Sequence, residues 1–324
     1  MNETPSRQRA KPARESTLRL PGVRLVPAPL RRRLQRQALA VLSHDGRGAN
    51  YDAPLGDPGL FGPDSVVWKV HADFPSMMAG GLAALMLQAL HPLALAGVWD
   101  HSDFRSDLLG RLRRTVAFVG RTTYAPTGPA QDAIDRVRRV HDRVHGTAAD
   151  GRPYSANDPH LLNWVHCAES WCFLQAYARY CQPLPAWARD RYLDEFRLVA
   201  ERLGARDVPA SMAALQAFFG RVQGELAFDV RTQTVMDVLA SIQLPIPMPG
   251  LSRNLFLGAS MALLPDWALR LHGRSMAQQR RDRLAAASLR ALAPSIRDAM
   301  SRGGLAWRAC RRMGVDHAAL FHWD

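Results

Sequence analysis

Apolar residues recur at helical spacing along almost the whole chain beyond residue 37, and no alternating run of apolar and polar residues exceeds four or five positions. A repeat near 3.6 gives each segment one apolar stripe, whereas a strand needs a period of two to bury a face. The expected fold class is therefore all-α. With 324 residues the chain is long for one domain and short for three, which favours a single large helical domain over residues 37–324 behind an N-terminal arm over residues 1–36. Helices are predicted at about 30–43, 64–71, 76–98 with a break, 105–119, 129–145, 159–181, 186–203, 211–227, 231–240, 252–258, 265–272 and 275–313, the last interrupted at Pro294 and at Gly303-Gly304.

The formal charge of +13 is concentrated at one end. Residues 1–36 hold ten Lys or Arg against two acids, a surplus of eight, which leaves five for the other 288 residues. A surplus of that size does not call for a phosphate-backbone partner, and nucleic acid is not expected to bind. The stretch "TLRLPGVRLVPAPLRRR" is broken every few residues by Arg or Pro, so it contains no apolar run of signal-peptide length. A disordered basic arm is the expectation, with export and docking on a membrane surface as the minor readings.

Residues 79–98, "AGGLAALMLQALHPLALAGV", carry no formal charge and have about the length that crosses a bilayer. Gln88, His91, the helix-disrupting Pro92 and two early glycines argue instead for a buried core helix broken near His91, and no stable membrane span is expected. The four cysteines, Cys167, Cys172, Cys181 and Cys310, form neither C-x-x-C nor C-x-x-C-H, so reduced thiols in a cytoplasmic protein are expected. In "DGRPYSANDPHLLNWVH", Asp150-Gly151 reads as a turn, Asp158 as an N-cap and Pro159 as the first helical residue. "LPIPMPG" (244–250) reads as an irregular extended connector.

Three helices carry polar residues on apolar faces. In "VRRVHDRVHG" (137–146), a wheel at about 100° per residue puts Ala133, Ile134, Val137, Val140 and Val144 on one arc with His141 inside it. His145 falls at the edge of that arc beside Gly146, the expected helix end. The spacing permits a shared metal, but Asp142 stands where a zincin helix places glutamate. His141 is then either a hydrogen-bonded core residue or a ligand; a neutral imidazole suits iron when an acceptor holds its other nitrogen. In "DLLGRLRRTVAFVG", Leu108, Leu109, Leu112, Val116 and Val119 make the apolar stripe, with Thr115 within it, Arg111 flanking it and Arg114 nearly opposite. Arg111 and Thr115 suit an anionic group or a polarised oxygen, or else are a snorkelling arginine and a back-bonded threonine. Glu169 lies in the middle of a face formed by Leu161, Val165, Cys172, Phe173 and Ala176, with His166 at its edge. A carboxylate so placed is either ion-paired or a working acid or base.

The succession "DPGLFGPDSVVWKVH", "LMLQALHPLALAGVWDHSDF", "GRLRRT", "RVHDRVHG" and "GRPYSANDPHLLNWVH" resembles the MpaB-like oxygenase family, whose catalytic domain is shared with rubber oxygenase (latex clearing protein), over roughly residues 55–310. The resemblance implies an all-α, partly globin-like domain that holds non-covalent haem b and cleaves an isoprenoid C=C bond with O2 as co-substrate. By its H-x-x-V context the family's axial histidine falls on His141. The family's R-x-x-K-T helix matches Arg111 and Thr115, with Arg114 in place of the lysine. An arginine has no lone pair to give to iron. Rubber-cleaving relatives also carry a glutamate on the preceding core helix, whereas residues 74–99 here have only Asp100 just beyond them and no Asp or Glu within. Glu169 is the candidate substitute, and His166 a candidate second contact to the cofactor.

These resemblances favour a haem-dependent oxygenase acting on a small apolar substrate rather than on rubber, and they name no electron donor. The competing accounts are a non-catalytic haem- or lipid-binding helical protein, and a helical protein without cofactor in which His141 is merely packed. Deleting residues 1–36, which cannot bury a core, is expected to leave the melting temperature nearly unchanged; a large drop in a thermal melt would show that the arm packs on the domain.

Overall fold

The computed structural model describes residues 49–242 and 249–323. In chain order the described helices and strands are α1 (Val66–His71), α2 (Phe74–Gln88), α3 (Pro92–His101), α4 (Leu108–Tyr124), α5 (Thr127–His141), β1 (His145–Thr147), β2 (Pro153–Ser155), α6 (Pro159–Tyr180), α7 (Ala186–Leu203), α8 (Met212–Val222), α9 (Val230–Ser241), α10 (Pro249–Met261), α11 (Asp266–Leu271), α12 (Met276–Met300) and α13 (Leu305–Met313). The fold is all-α apart from one antiparallel hairpin, β1–β2, in which Gly146 pairs with Tyr154. The predicted arm over residues 1–36, the helix at 30–43 and most of the 244–250 connector lie outside the described residues; Pro249 and Gly250, assigned to that connector, instead open α10.

Short polar side chains set the helix starts. Asp73 accepts from the Ser76 amide, Asp107 from Gly110, Asp158 from His160 and Ser211 from Ala214, each satisfying a donor that the first turn leaves free. Pro75, Pro92 and Pro159 sit in first turns, where a missing N–H costs nothing. Asp150-Gly151 turns as expected, the Gly151 amide donating to the Ala148 carbonyl at 2.9 Å.

α2 and α6 form the centre of the molecule. α2 also packs on α10 and α12, α10 on α12, and α7 on α6. The close approach of α2 to α6 depends on Gly80: a Cβ there would lie 2.9 Å from a Phe173 ring carbon and 3.1 Å from the Cys172 carbonyl oxygen. Trp164, Tyr177, Leu174, Met86 and Leu87 are fully buried around this contact, each worth about 1.5–3 kcal/mol of removed apolar surface.

Beneath the core a charged pair is sealed in. Asp73, with no exposed surface, accepts from the Arg297 guanidinium of α12, which also donates to the Tyr180 carbonyl at 3.0 Å, and the same carboxylate caps α2 and takes the Ser76 hydroxyl. One ion pair thus joins the start of α2, the end of α6 and the last turn of α12. A second buried arginine, Arg312 of α13, donates to the carbonyls of Asp57, Tyr51 and Tyr124 at 2.7–2.9 Å and ties the segment before α1 to the end of α4.

The segment over 79–98 breaks as expected. Gln88 ends α2, His91 is extended (φ −93°, ψ 111°) because the residue before proline avoids helical backbone, and α3 leaves at 104° to α2. Among the described residues no single helix is long and apolar enough to cross a membrane; the bent pair α2–α3 has the length and composition, yet most of α2 is buried in the core.

Two further expectations need correction. Pro294 does not interrupt α12, which runs unbroken from 276 to 300: Pro294 and Arg290, whose carbonyl loses its partner, both face solvent, where water takes the vacant bond. The helix expected over 105–119 runs instead from 108 to 124, since its apolar packing continues to Tyr124.

Arg297→Met would leave the Asp73 carboxylate buried without its cation, at an expected cost of about 3–5 kcal/mol. Guanidinium unfolding reads this directly, and a loss under about 1 kcal/mol would show that the pair is not what joins the three helices.

Candidate functional site

α4 starts at the margin of the core, which Leu108 touches while only partly buried. None of residues 108–118 is buried; the helix enters the interior only from Val119 onward. Leu108, Leu109, Leu112 and Val116 therefore stand half-buried rather than forming the buried stripe expected of them. Thr115, expected among them, is exposed, and its hydroxyl donates back to the Arg111 carbonyl at 3.2 Å. Arg111 is half-buried and its Nη1 donates to Ser102 Oγ at 2.8 Å; burial, and next Arg114, push its pKa down from the usual guanidinium value. Arg114 points outward, 64% exposed and 3.8 Å from Asp107, as the wheel predicted.

α5 is joined to α4 by two residues and packs against it, forming a helical hairpin whose end returns toward the start of α4. Neighbouring residues at the end of α3 mark the convergence: Ser102 binds Arg111 of α4, while His101 Nε2 lies 3.2 Å from the carbonyl oxygen of His145, four residues beyond α5. The 137–146 stretch is not one helix. Asp142 caps α5, its amide returning to the Arg138 carbonyl, and the chain turns into β1. His145 is thus an exposed strand residue and Gly146 a strand position paired with Tyr154, so the i, i+4 relation of the two histidines does not exist in the fold. Hairpin pairing, which the helical wheel does not represent, overrides the continued periodicity. Val140, placed on the inward arc, is 55% exposed, while Ala133 and Ile134 are buried.

His141 is left distinctive by what it lacks. Its Nδ1 is buried without a hydrogen-bond partner among the described residues, and burial, opposed by Asp142, lowers its pKa, so the ring is neutral. Two other buried histidines are engaged. His71 joins Thr123 Oγ1 at 2.8 Å and Tyr192 Oη at 2.9 Å. His166, expected at the edge of its helix face, is buried, 3.3 Å from Ser170 Oγ, with its ring against Phe196 at 4.9 Å and its pKa pushed down to about 4 by burial. It is a packed residue of the α6–α7 contact.

Glu169 does sit amid apolar residues of α6, although Val165 of that face is 38% exposed. Its carboxyl has no ion-pair or hydrogen-bond partner among the described residues; it keeps some accessible surface yet lies deep enough that burial raises its pKa to about 7. Cys172 and Tyr192 are close enough to feel its charge. Apart from the Thr115–Arg111 bond within α4, no hydrogen bond or ion pair links Arg111, Thr115, His141, His166 and Glu169 to one another among the described residues. The end of α3 holds Arg111 through Ser102 and the chain four residues beyond His141 through His101, while Thr115 stands outside and His166 lies in the core. Ser102, which fixes Arg111, went unassigned in sequence reading, though it lies within the quoted "WDHSDF". A surface recess of about 360 Å³ beside Ser65 and Arg191 is lined by none of these residues.

The family described as ER-bound oxygenase mpaB/B'/rubber oxygenase, catalytic domain, matches residues 68–298. No curated protein and no solved structure matches the chain.

The raised Glu169 pKa has a consequence for stability. The unfolded chain ionises this group near 4.5 and the folded chain near 7, so between those values the folded state holds the extra proton and stability falls as pH rises. Glu169→Gln is expected to remove that component: relative to wild type, the variant gains stability on going from pH 5 to pH 7.5 in urea unfolding. An unchanged difference between the two pH values would show that Glu169 is not desolvated.

Proposed function

Because the chain belongs to the family of mpaB and rubber oxygenase catalytic domains, we propose that this oxygenase domain holds non-covalent haem b on His141 and uses O2 on a small apolar alkene of the isoprenoid class. The observation that carries this reading is a neutral, unpartnered His141 at the end of α5, close to a helix whose apolar side chains are left half-exposed. Apolar surface of that kind, bordered by Arg111, fits the flat apolar face and the carboxylate edge of a porphyrin.

When bound, haem supplies a redox-active iron that activates O2. The chain's own residues divide the remaining tasks. His141 offers a neutral nitrogen lone pair, and its low pKa keeps that pair free of protons at neutral pH. Arg111, held by Ser102, keeps a fixed positive charge for a carboxylate or for a polarised oxygen. Leu108, Leu109, Leu112 and Val116 exclude water and receive an apolar substrate. Glu169, with a pKa of about 7, can take or give a proton at its carboxyl oxygen near neutral pH. Thr115 has spent its hydroxyl on the backbone and has no part in this arrangement. Arg114 faces solvent and has no lone pair, so the relatives' lysine has no counterpart here, and Arg114→Lys is not expected to add a ligand. Four free cysteines suit a reducing compartment, the cytoplasm in this reading.

His141→Ala is expected to abolish or strongly shift the Soret band of the haem-loaded protein, while His145→Ala, on an exposed strand, leaves it nearly intact. The reverse pattern in absorption spectra of the two variants would move the ligand to His145 and discard this site. Consumption of O2 with an isoprenoid alkene, lost in Arg111→Ala, would separate turnover from haem binding alone.

A further inference from the structure

The break between α2 and α3 leaves one more histidine without an account. His91 has no exposed surface, yet neither ring nitrogen has an aligned hydrogen-bond partner; its Nε2 merely lies 3.3 Å from Glu225 Oε2. The same carboxylate is 3.0 Å from His160 Nε2, and one donor atom from each of the three residues lies within 4.8 Å of the others. We propose that His91, His160 and Glu225 bind a divalent transition-metal ion.

Ligand atoms that share a metal at about 2.0–2.2 Å stand about 3.0–3.6 Å apart, which is the spacing of both histidine nitrogens from Glu225. Two imidazoles and one carboxylate select zinc and its borderline neighbours, Fe2+ to Cu2+, over Mg2+ and Ca2+, which take oxygen. A hydrogen-bonded His–Glu–His cluster would be the simpler arrangement, but it leaves the buried His91 Nε2 without an aligned partner, a position that a metal would fill.

The three residues come from distant parts of the sequence and are locked in place by backbone bonds. The Ala227 amide donates to the Leu90 carbonyl at 2.8 Å and Thr232 Oγ1 to the Ala89 carbonyl at 3.1 Å, fixing the helix break against the turn that carries Glu225. Trp164 Nε1 donates to the Gln88 carbonyl at 3.2 Å, fixing the first turns of α6, where His160 stands. Arg152, the cation that acts on His91 and Glu225, is engaged by Asp150 at 2.7 Å. His160 and Glu225 are 44% and 38% exposed, so an ion enters from solvent and keeps at least one position for water. No residue is shared with the haem reading, and neither stands on the other.

The test uses the full chain, treated with EDTA, which leaves haem iron in place, and titrated with Zn2+ alone by calorimetry. The expected result is one ion per chain, a melting temperature that rises with Zn2+, and binding weakened at least about 100-fold in His160→Asn and in Glu225→Gln, since even indirect partners of a metal ligand cost 10- to 100-fold. Both variants lie at exposed positions and test the site even if His91→Asn fails to fold. Absence of stoichiometric binding, or affinity in both variants within tenfold of wild type, would overturn the proposal.

Discussion

The buried pair between Asp73 and Arg297 is the constraint on which the rest of the architecture depends. It lies where three helices meet, and the Asp73 carboxylate serves at once as ion-pair partner, helix cap and acceptor for Ser76. A charge so deep is tolerable only when its hydrogen-bonding positions are filled. With α2 fixed at its start by this pair, Gly80 allows the helix to lie against α6 at a distance no larger residue permits. The depth of α2 in the core then places its end, and the turn into α3, at a set point.

The two proposed sites lie at opposite ends of α3. At its start, the residue before Pro92 is forced into extended backbone, which turns His91 toward the segment carrying Glu225. At its end, His101 and Ser102 reach the chain beyond α5 and the start of α4. In both places a histidine lacks the partner that His71 and His166 possess. A buried imidazole nitrogen without a partner calls for an explanation, and a bound ligand supplies one in each place.

Much of the fold was legible in the sequence, because helical periodicity, N-caps and prolines act locally. The α2–α3 break, the Asp158–Pro159 start of α6 and the 186–203 helix fall where those signals placed them. The site was less legible. A wheel around His141 turned it inward but also placed Val140 and Val144 on the same buried arc, and it continued the helix through His145. Only the pairing of 145–147 with 153–155, a contact across a turn, ends α5 at His141. Thr115 was misplaced for a related reason: a stripe shows which residues share a face, not whether anything covers it. The His91–His160–Glu225 group spans 135 positions in sequence and carries no spacing motif, so it emerges only once the chain is folded.

The central claim is that an oxygenase domain of this family holds haem through His141. The most direct measurement is a pyridine-haemochrome assay, with iron quantitation, on full-length protein produced with ample haem and purified without denaturation. The account predicts a b-type spectrum at about one haem per chain, releasable by acid and solvent because no cysteine motif anchors it. A folded protein that yields no haemochrome and no haem iron would contradict it.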